Sequence, residues 1–284
     1  MELTKKIDVV VPIYNAYNVL INCLKSLKKH QNKINQVILI NDASTDKRIE
    51  ILIEKYGMLK KWKVINHKIN KGFVITANEG LKLSQYHTIL LNSDTIVSKN
   101  WIKAFKNALK KNKLIGTATA WSNNAEICSF PNFLKNNKKI DKIDQFSEII
   151  YKNYKPQFPI IPTAVGFCML ITKQAKNIVG YFDEDHFGHG YGEENDYSIR
   201  VKSAGLKNIL CDNAYVEHIG NESFSDLGLK PNENTMNRLL IKHPNYLEEI
   251  NQYIQNDPLK FIRHKILEVV KNKDIKLFDE LIQQ

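Results

Sequence analysis

Residues 186–200 read His-Phe-Gly-His-Gly-Tyr-Gly-Glu-Glu-Asn-Asp-Tyr-Ser-Ile-Arg, a loop punctuated by Gly188, Gly190 and Gly192. It delivers the carboxylates Glu193, Glu194 and Asp196 to the start of a helical pattern. Acidic side chains suit a helix N-terminus, where unpaired N–H groups and the macrodipole present positive charge. Capping alone can account for two or three of them. It does not account for three glycines, which mark backbone that turns sharply or lets another group come close. Three other places carry candidate chemistry. Asp42, within Asn41-Asp42-Ala43-Ser44-Thr45-Asp46, can accept hydrogen bonds from a nucleobase imide or a ribose hydroxyl, or can simply form an Asx turn. Asn92-Ser93-Asp94 offers one carboxylate. A hard divalent cation on a diphosphate prefers carboxylate oxygen and keeps its waters, so one Asp and one more ligand suffice. The same residues can also start the turn into the next helix. His218 is available as that second ligand, although a lone histidine is more often structural.

The surrounding elements give these places a common location. An apolar run at 7–11, closed by Pro12, reads as a buried strand. Residues 17–29 set Val19, Leu20, Cys23, Leu24 and Leu27 on one helical face. A second strand at 36–40 runs into the Asp42 turn, and Asp46 can cap a helix over 47–56. Strands at 62–65, 88–91 and 115–120 alternate with helices at 73–84 and 99–111. This alternation predicts a parallel sheet covered on both faces, whose ligands bind at the carboxyl ends of the strands. The polar clusters after the first, second and fourth strands fall at that edge. From 122 to 160 the chain is polar and lysine-rich, with one short helix near 145–152. A strand is expected over 163–172, a helix over 194–204, and two strands at 207–210 and 214–218. Beyond 231 the pattern is helical only, at 233–242, 245–255, 258–271 and 274–282. That glycine-free tail reads as a small helical appendage packed on the main domain.

Composition narrows the classes. With 284 residues, 43% hydrophobic and 25% charged, the chain is long enough for a large core and ordinary for a soluble globular protein. No run approaches the ~18 uninterrupted apolar residues of a membrane span, and the first six residues lead straight into a strand, so no signal peptide is expected. Cys23, Cys128, Cys168 and Cys211 lie far apart in apolar contexts and read as reduced core residues of a cytoplasmic protein. The net charge of +11 comes from lysines scattered over nearly every amphipathic segment. A nucleic-acid site would concentrate them with aromatics interleaved, so no nucleic-acid partner is expected; weak attraction to anionic head groups or a phosphate-bearing substrate fits better.

Taken in order, the motifs resemble a family of nucleotide-sugar glycosyltransferases, family 2, with the GT-A fold. The resemblance rests on Val9-Val10-Val11-Pro12-Ile13-Tyr14-Asn15, the Asn41–Asp46 segment, Asn70-Lys71-Gly72-Phe73 with Asn78, Asn92-Ser93-Asp94, the acidic loop, and the strand ending at His218. The segments beginning at Ala120 and Pro162 resemble bacterial members near rhamnosyl- and other surface-polysaccharide transferases. Each piece is weak alone, and the ordered set is specific.

The resemblance implies an α/β catalytic domain over 1–225, with a nucleotide-sugar half at 1–120 and an acceptor half at 121–225, followed by the appendage at 226–284. It implies that Pro12, Tyr14 and Asn15 line the base pocket, and that Asp42 holds the base and ribose. Asn70 and Gly72 would border the nucleotide, and Asn92, Ser93 and Asp94 would meet the donor. Asp94 matches the last position of an Asp-X-Asp motif and, with His218, would bind Mg²⁺ or Mn²⁺. Asn92 stands where the motif has its first Asp, which puts more weight on His218. The Gly-Glu-Glu-Asn-Asp run resembles the Gly-Glu-Asp-Asp-Asp type of metal-dependent galactosyltransferases. That register makes Glu194 the catalytic base of an inverting displacement, ahead of Asp196 and Glu193, with Glu193 orienting acceptor hydroxyls and Asp196 supporting the loop. Arg200 would pair with Asp196 or meet the diphosphate.

The implied donor is a UDP- or dTDP-sugar, and the implied acceptor a glycan, lipid-linked glycan or glycoprotein, with peripheral contact to the inner membrane face. Two other classes remain open. A nucleotidyltransferase would need a glycine-rich phosphate loop where this chain has Pro-Ile-Tyr-Asn-Ala. A non-catalytic partner subunit would suit Asn92 but not the intact acidic loop.

Overall fold

The computed structural model describes residues 6–188, 190–220 and 233–283. The first apolar run becomes β1 (Ile7–Ile13), with all seven residues buried. Strands covered on both faces are apolar throughout rather than alternating, and β1 follows that rule. The chain continues through α1 (Tyr17–Lys29), β2 (Gln36–Asn41), α2 (Lys47–Gly57), β3 (Trp62–Asn66), α3 (Phe73–Leu83), β4 (His87–Leu91), β5 (Thr95–Val97), α4 (Trp101–Lys111) and β6 (Ile115–Trp121). After a 3-10 turn at Glu126–Cys128 come α5 (Ile143–Asn153), β7 (Cys168–Ile171), α6 (Lys173–Val179), α7 (Glu184–Phe187), α8 (Glu193–Ser203) and β8 (Lys207–His218). The tail holds α9 (Glu233–Lys242), α10 (Tyr246–Asn256), α11 (Lys260–Lys273) and α12 (Ile275–Ile282).

The strands form one sheet in the order β3-β2-β1-β4-β7-β6-β8-β5. It is parallel from β3 to β4 and between β6 and β8, and antiparallel where β7 joins β4 and β6 and where β5 joins β8. The sheet is therefore mixed and mostly parallel, as the resemblance implies.

Three local expectations change, each for a tertiary reason. β5 has only three residues, too few for a periodic signal, and exists because it pairs with the end of β8, Thr95 opposite His218. Within 163–172 only Cys168–Ile171 joins the sheet. Further up, Ala164 N donates to Ser198 Oγ at 3.0 Å and Val165 N to Thr119 Oγ1 at 3.0 Å, so side chains take the place of a neighbouring strand. The break expected at 211–213 is instead a bulge inside one strand, between the pairs Ala120–Cys211 and Trp121–Tyr215. Asp212 in that bulge is fully buried and accepts from Tyr154 Oη (2.7 Å), Gln157 N (2.9 Å) and Phe158 N (3.1 Å).

The tail belongs to the same body. Leu239 of α9 joins the core on the α3, α6 and α8 face. Ile262, Ile266 and Val270 of α11, with Leu277 and Leu281 of α12, join the core on the α1, α4 and α5 face. Each such buried side chain contributes about 1.5–3 kcal/mol, so the tail is a structural part of both layers. The expected boundary at 225/226 lies outside the described residues. No described helix is long and apolar enough to cross a membrane.

Candidate active site

A cavity of about 310 Å³ opens at the carboxyl edge of β1, β2 and β4 and continues to the end of β8. Pro12 and Tyr14 follow β1 along one side, with Asp42, Asn70, Gly72 and Phe73 beside them, and Asn92, Ser93 and Asp94 form the floor after β4. Asn124, Glu126, Val165, Gly166 and Phe167 close the far wall, where Tyr191, Glu193, Glu194 and His218 also face the space. Of the residues expected at the site, Asn15 and Asp196 alone do not line it.

Asn15 works beneath the wall. Its Oδ1 accepts from Thr45 N at 2.9 Å and from Thr45 Oγ1 at 3.2 Å, and its N donates to Ser44 Oγ at 3.0 Å. It ties the loop after β1 to the loop after β2 instead of presenting its amide to a ligand.

Asp42 organises the loop that carries Asn70 and Gly72. Its Oδ1 accepts from Lys71 N and its Oδ2 from Gly72 N, both at 2.8 Å, and Asn70 Nδ2 donates to its carbonyl at 3.1 Å. His67, unremarked in the sequence, lies with Nδ1 2.8 Å from Asp42 Oδ1 and Nε2 2.9 Å from Glu79 Oε2. A carboxylate offers about four lone-pair positions, so Asp42 keeps capacity for a ligand after serving this loop.

The β5–β8 pairing sets Asp94 beside His218. His218 Nδ1 lies 2.8 Å from the Asn124 carbonyl, which can only accept, so Nδ1 carries a proton; Nε2 lies 3.4 Å from Asp94 Oδ1, donating to that carboxylate when the ring is charged and offering a lone pair when it is neutral. The ring stacks on Phe167 with centroids 5.2 Å apart. Burial disfavours the charged ring, but the Asp94 carboxylate outweighs it and raises the His218 pKa. An imidazole nitrogen and a carboxylate oxygen this close suit one divalent cation whose other positions go to diphosphate oxygens and water. Among the described residues the lining holds five carboxylates, Asp42, Asp94, Glu126, Glu193 and Glu194, and no lysine or arginine.

The acidic loop takes left-handed backbone at its glycines, with φ of 47° at Gly188, 123° at Gly190 and 96° at Gly192, which explains their presence. Glu193 is buried with Oε2 lacking any partner. Burial, and then the neighbouring Glu194 charge, push its pKa well above the usual carboxylate value. Burial, with the Glu126 charge behind it, raises Glu194 to about 7.

Asp196 has a different job. Its fully buried carboxylate is 2.7 Å from Lys242 Nζ and 2.9 Å from His243 Nε2 through Oδ1, and 2.8 Å from Arg200 Nε through Oδ2. Burial works to raise its pKa, but these hydrogen bonds prevail and hold it low. A carboxylate outside the cavity and held by three basic side chains anchors α8; it does not reach a substrate proton. Arg200 also donates to the carbonyls of Val179 and Tyr181 at 3.0 and 2.9 Å, so it is committed to the protein.

The family model for glycosyl transferase family 2 matches residues 8–176. The chain belongs to glycosyl transferase family 2. The chain is 28% identical over 181 residues to a poly-beta-1,6-N-acetyl-D-glucosamine synthase of Staphylococcus epidermidis, covering 63% of this chain and 42% of that protein. It is 35% identical over 104 residues to the glycosyltransferase GlyG of Streptococcus pneumoniae serotype 4, covering 36% and 34%. The chain thus spans less than half the length of these curated relatives. Among solved structures, GalNAc-T7 with UDP, GalNAc and Mn²⁺ superimposes with a TM-score of 0.61 at 14% identity, over 94% of this chain and 57% of that one. S. aureus TarS 1–349 in complex with UDP-GlcNAc gives 0.56 at 16% identity, over 94% and 73%. These likenesses fix the GT-A fold.

Within this family 2 chain, several residues at or behind the cavity escaped the sequence. His67, Lys242 and His243 support it from outside and carry no periodic signal. Glu126 had one available cue: it is the lone acidic residue between Asp94 and Asp141.

Proposed function

We propose that this chain is an inverting glycosyltransferase that moves a sugar from a nucleotide-diphosphate donor to a hydroxyl of a glycan or glycoconjugate acceptor in bacterial surface-polysaccharide synthesis. The observation that carries the reading is the make-up of the cavity: five carboxylates, Glu194 and the Asp94 that pairs with His218 among them, and no lysine or arginine among the described lining residues. UDP is the preferred carrier, because both solved relatives were captured with UDP or a UDP-sugar. UDP-N-acetylglucosamine is the first donor to test, since it is bound in TarS and an N-acetylglucosamine polymer names the S. epidermidis relative.

In this reading Pro12, Tyr14 and Asp42 receive the nucleoside, and Asn70 and Gly72 border it. Asn92, Ser93 and Asp94 lie against the diphosphate and sugar. Asp94 and His218 would hold Mg²⁺ or Mn²⁺, which would offset the charge of the departing diphosphate. Glu194 takes the proton of the acceptor hydroxyl as its oxygen bonds to the anomeric carbon and the bond from that carbon to the phosphate oxygen breaks. A single displacement of this kind inverts the configuration. Glu193, whose pKa is raised by burial, would orient the acceptor hydroxyls.

The test is nucleoside-diphosphate release from a panel of UDP-, dTDP- and GDP-sugars, with Mn²⁺ or with EDTA. Metal-dependent release from one donor supports the reading and names the donor. Absence of both release and nucleotide binding with every donor would sink it.

A further inference from the structure

Glu126 opens the 3-10 turn that follows β6. Its backbone lies in the left-handed region at φ 48°, a conformation unfavourable for a residue with a Cβ and concentrated at functional sites. The turn holds itself in that shape: Cys128 N donates to Ala125 O at 2.7 Å, Ser129 N to Glu126 O at 3.0 Å, and Ala125 N to Ser129 Oγ at 3.0 Å. All of these bonds are made by backbone or by Ser129. The Glu126 carboxylate itself has no hydrogen bond and no cation beside it among the described residues, and it lines the cavity. The Glu126 side chain is exposed, and the protein packed around it still raises its pKa. Glu193, buried on the same cavity with an orphaned Oε2, independently marks this wall as one that awaits a ligand.

We propose that Glu126 is a third carboxylate of the reaction centre, facing the attacking hydroxyl beside Glu194 and governing how readily Glu194 takes its proton. The inference rests on the reading of Glu194 as the base. Groups from every neighbouring element bear on Glu194: Glu193 on its own helix α8, Tyr191 in the loop before it, Glu126 from the turn after β6, and Tyr246 at the start of α10. Lys242, His243 and Arg200 are engaged by Asp196 and do not neutralise this wall. A like charge disfavours a second ionisation, so Glu126 keeps Glu194 a stronger base. The nucleophile's proton still goes to Glu194, and Glu126 undergoes no net change.

The measurement is the pH profile, from 5 to 9, of nucleoside-diphosphate release from the donor turned over in the assay above, with water as nucleophile and saturating Mn²⁺. Wild type is compared with E126Q, E126A, E126D and E194Q. Removing the charge in E126Q and in E126A should move the midpoint of the ascending limb down by about half a pH unit or more and lower the plateau, because the base is weaker. E126D, which keeps the charge, should hold the wild-type midpoint. A role in folding the turn alone would lower the rate equally at every pH, and unchanged midpoints in both E126Q and E126A overturn the proposal. E194Q reads the underlying assignment separately: a rate down by about a hundredfold or more with the limb abolished is expected. A wild-type profile in E194Q would overturn the base assignment and the role of Glu126 with it.

Discussion

As the proposed base, Glu194 has to be basic enough to accept a proton from a hydroxyl and still ionise near neutral pH. Burial and the charge of Glu126 set it at about 7, well placed for a base at neutral pH. A base works when unprotonated, so turnover should fall roughly tenfold for each pH unit below that value. Its replacement in E194Q should cost 10²–10⁴-fold in kcat with donor affinity kept, as read by transfer kinetics and nucleotide titration. In the same cavity, D94N removes the carboxylate that faces His218 Nε2. It should raise the Mn²⁺ concentration for half-maximal donor turnover by at least about tenfold, while nucleotide-free stability changes little. A metal titration of that variant checks the assignment.

Among the elements, α8 carries the proposed base Glu194 and is anchored elsewhere. The Asp196 carboxylate receives Arg200 from its own helix and Lys242 and His243 from the end of α9 and the turn beyond it. Removing a buried, charge-assisted acceptor leaves Arg200 and His243 without this counter-charge while Lys242 keeps Asp183, so D196N should destabilise the fold by about 2 kcal/mol. It should also lower kcat more than it raises the donor KM. Chemical unfolding and steady-state kinetics measure the two effects. Equal kcat with lost stability would make the anchor purely structural. A second element-level constraint is Gly80 in α3. A Cβ there would sit 2.2 Å from Val10 Cγ1 on β1, so the helix lies directly on the strand. G80A gains about 1 kcal/mol of helix propensity but should lose about 1–3 kcal/mol to overpacking, a net loss visible in the denaturation midpoint.

For the whole molecule, an active site with raised carboxylate pKa values means stored instability. Glu194 is raised from 4.5 to about 7, so its contribution is fully present below the unfolded value and is lost as pH rises through 7. E194Q should therefore melt a few degrees above wild type at pH 8, and the difference should close toward pH 4.5; differential scanning at the two pH values reads it. The strand–helix order and the sheet edge that carries the polar clusters were legible along the chain, because continuous apolar runs and polar turns report local structure directly. The sequence also announced Asp42, Asp94, Glu194 and His218 as chemistry-bearing. Only the tertiary structure decided that β5 exists to bring Asp94 to His218, that Asn15 and Asp196 brace the walls, that α9 through α12 share the core, and that Glu126 faces the cavity. Those outcomes depend on partners tens to hundreds of residues away, and no local period or spacing encodes which distant group a side chain will meet.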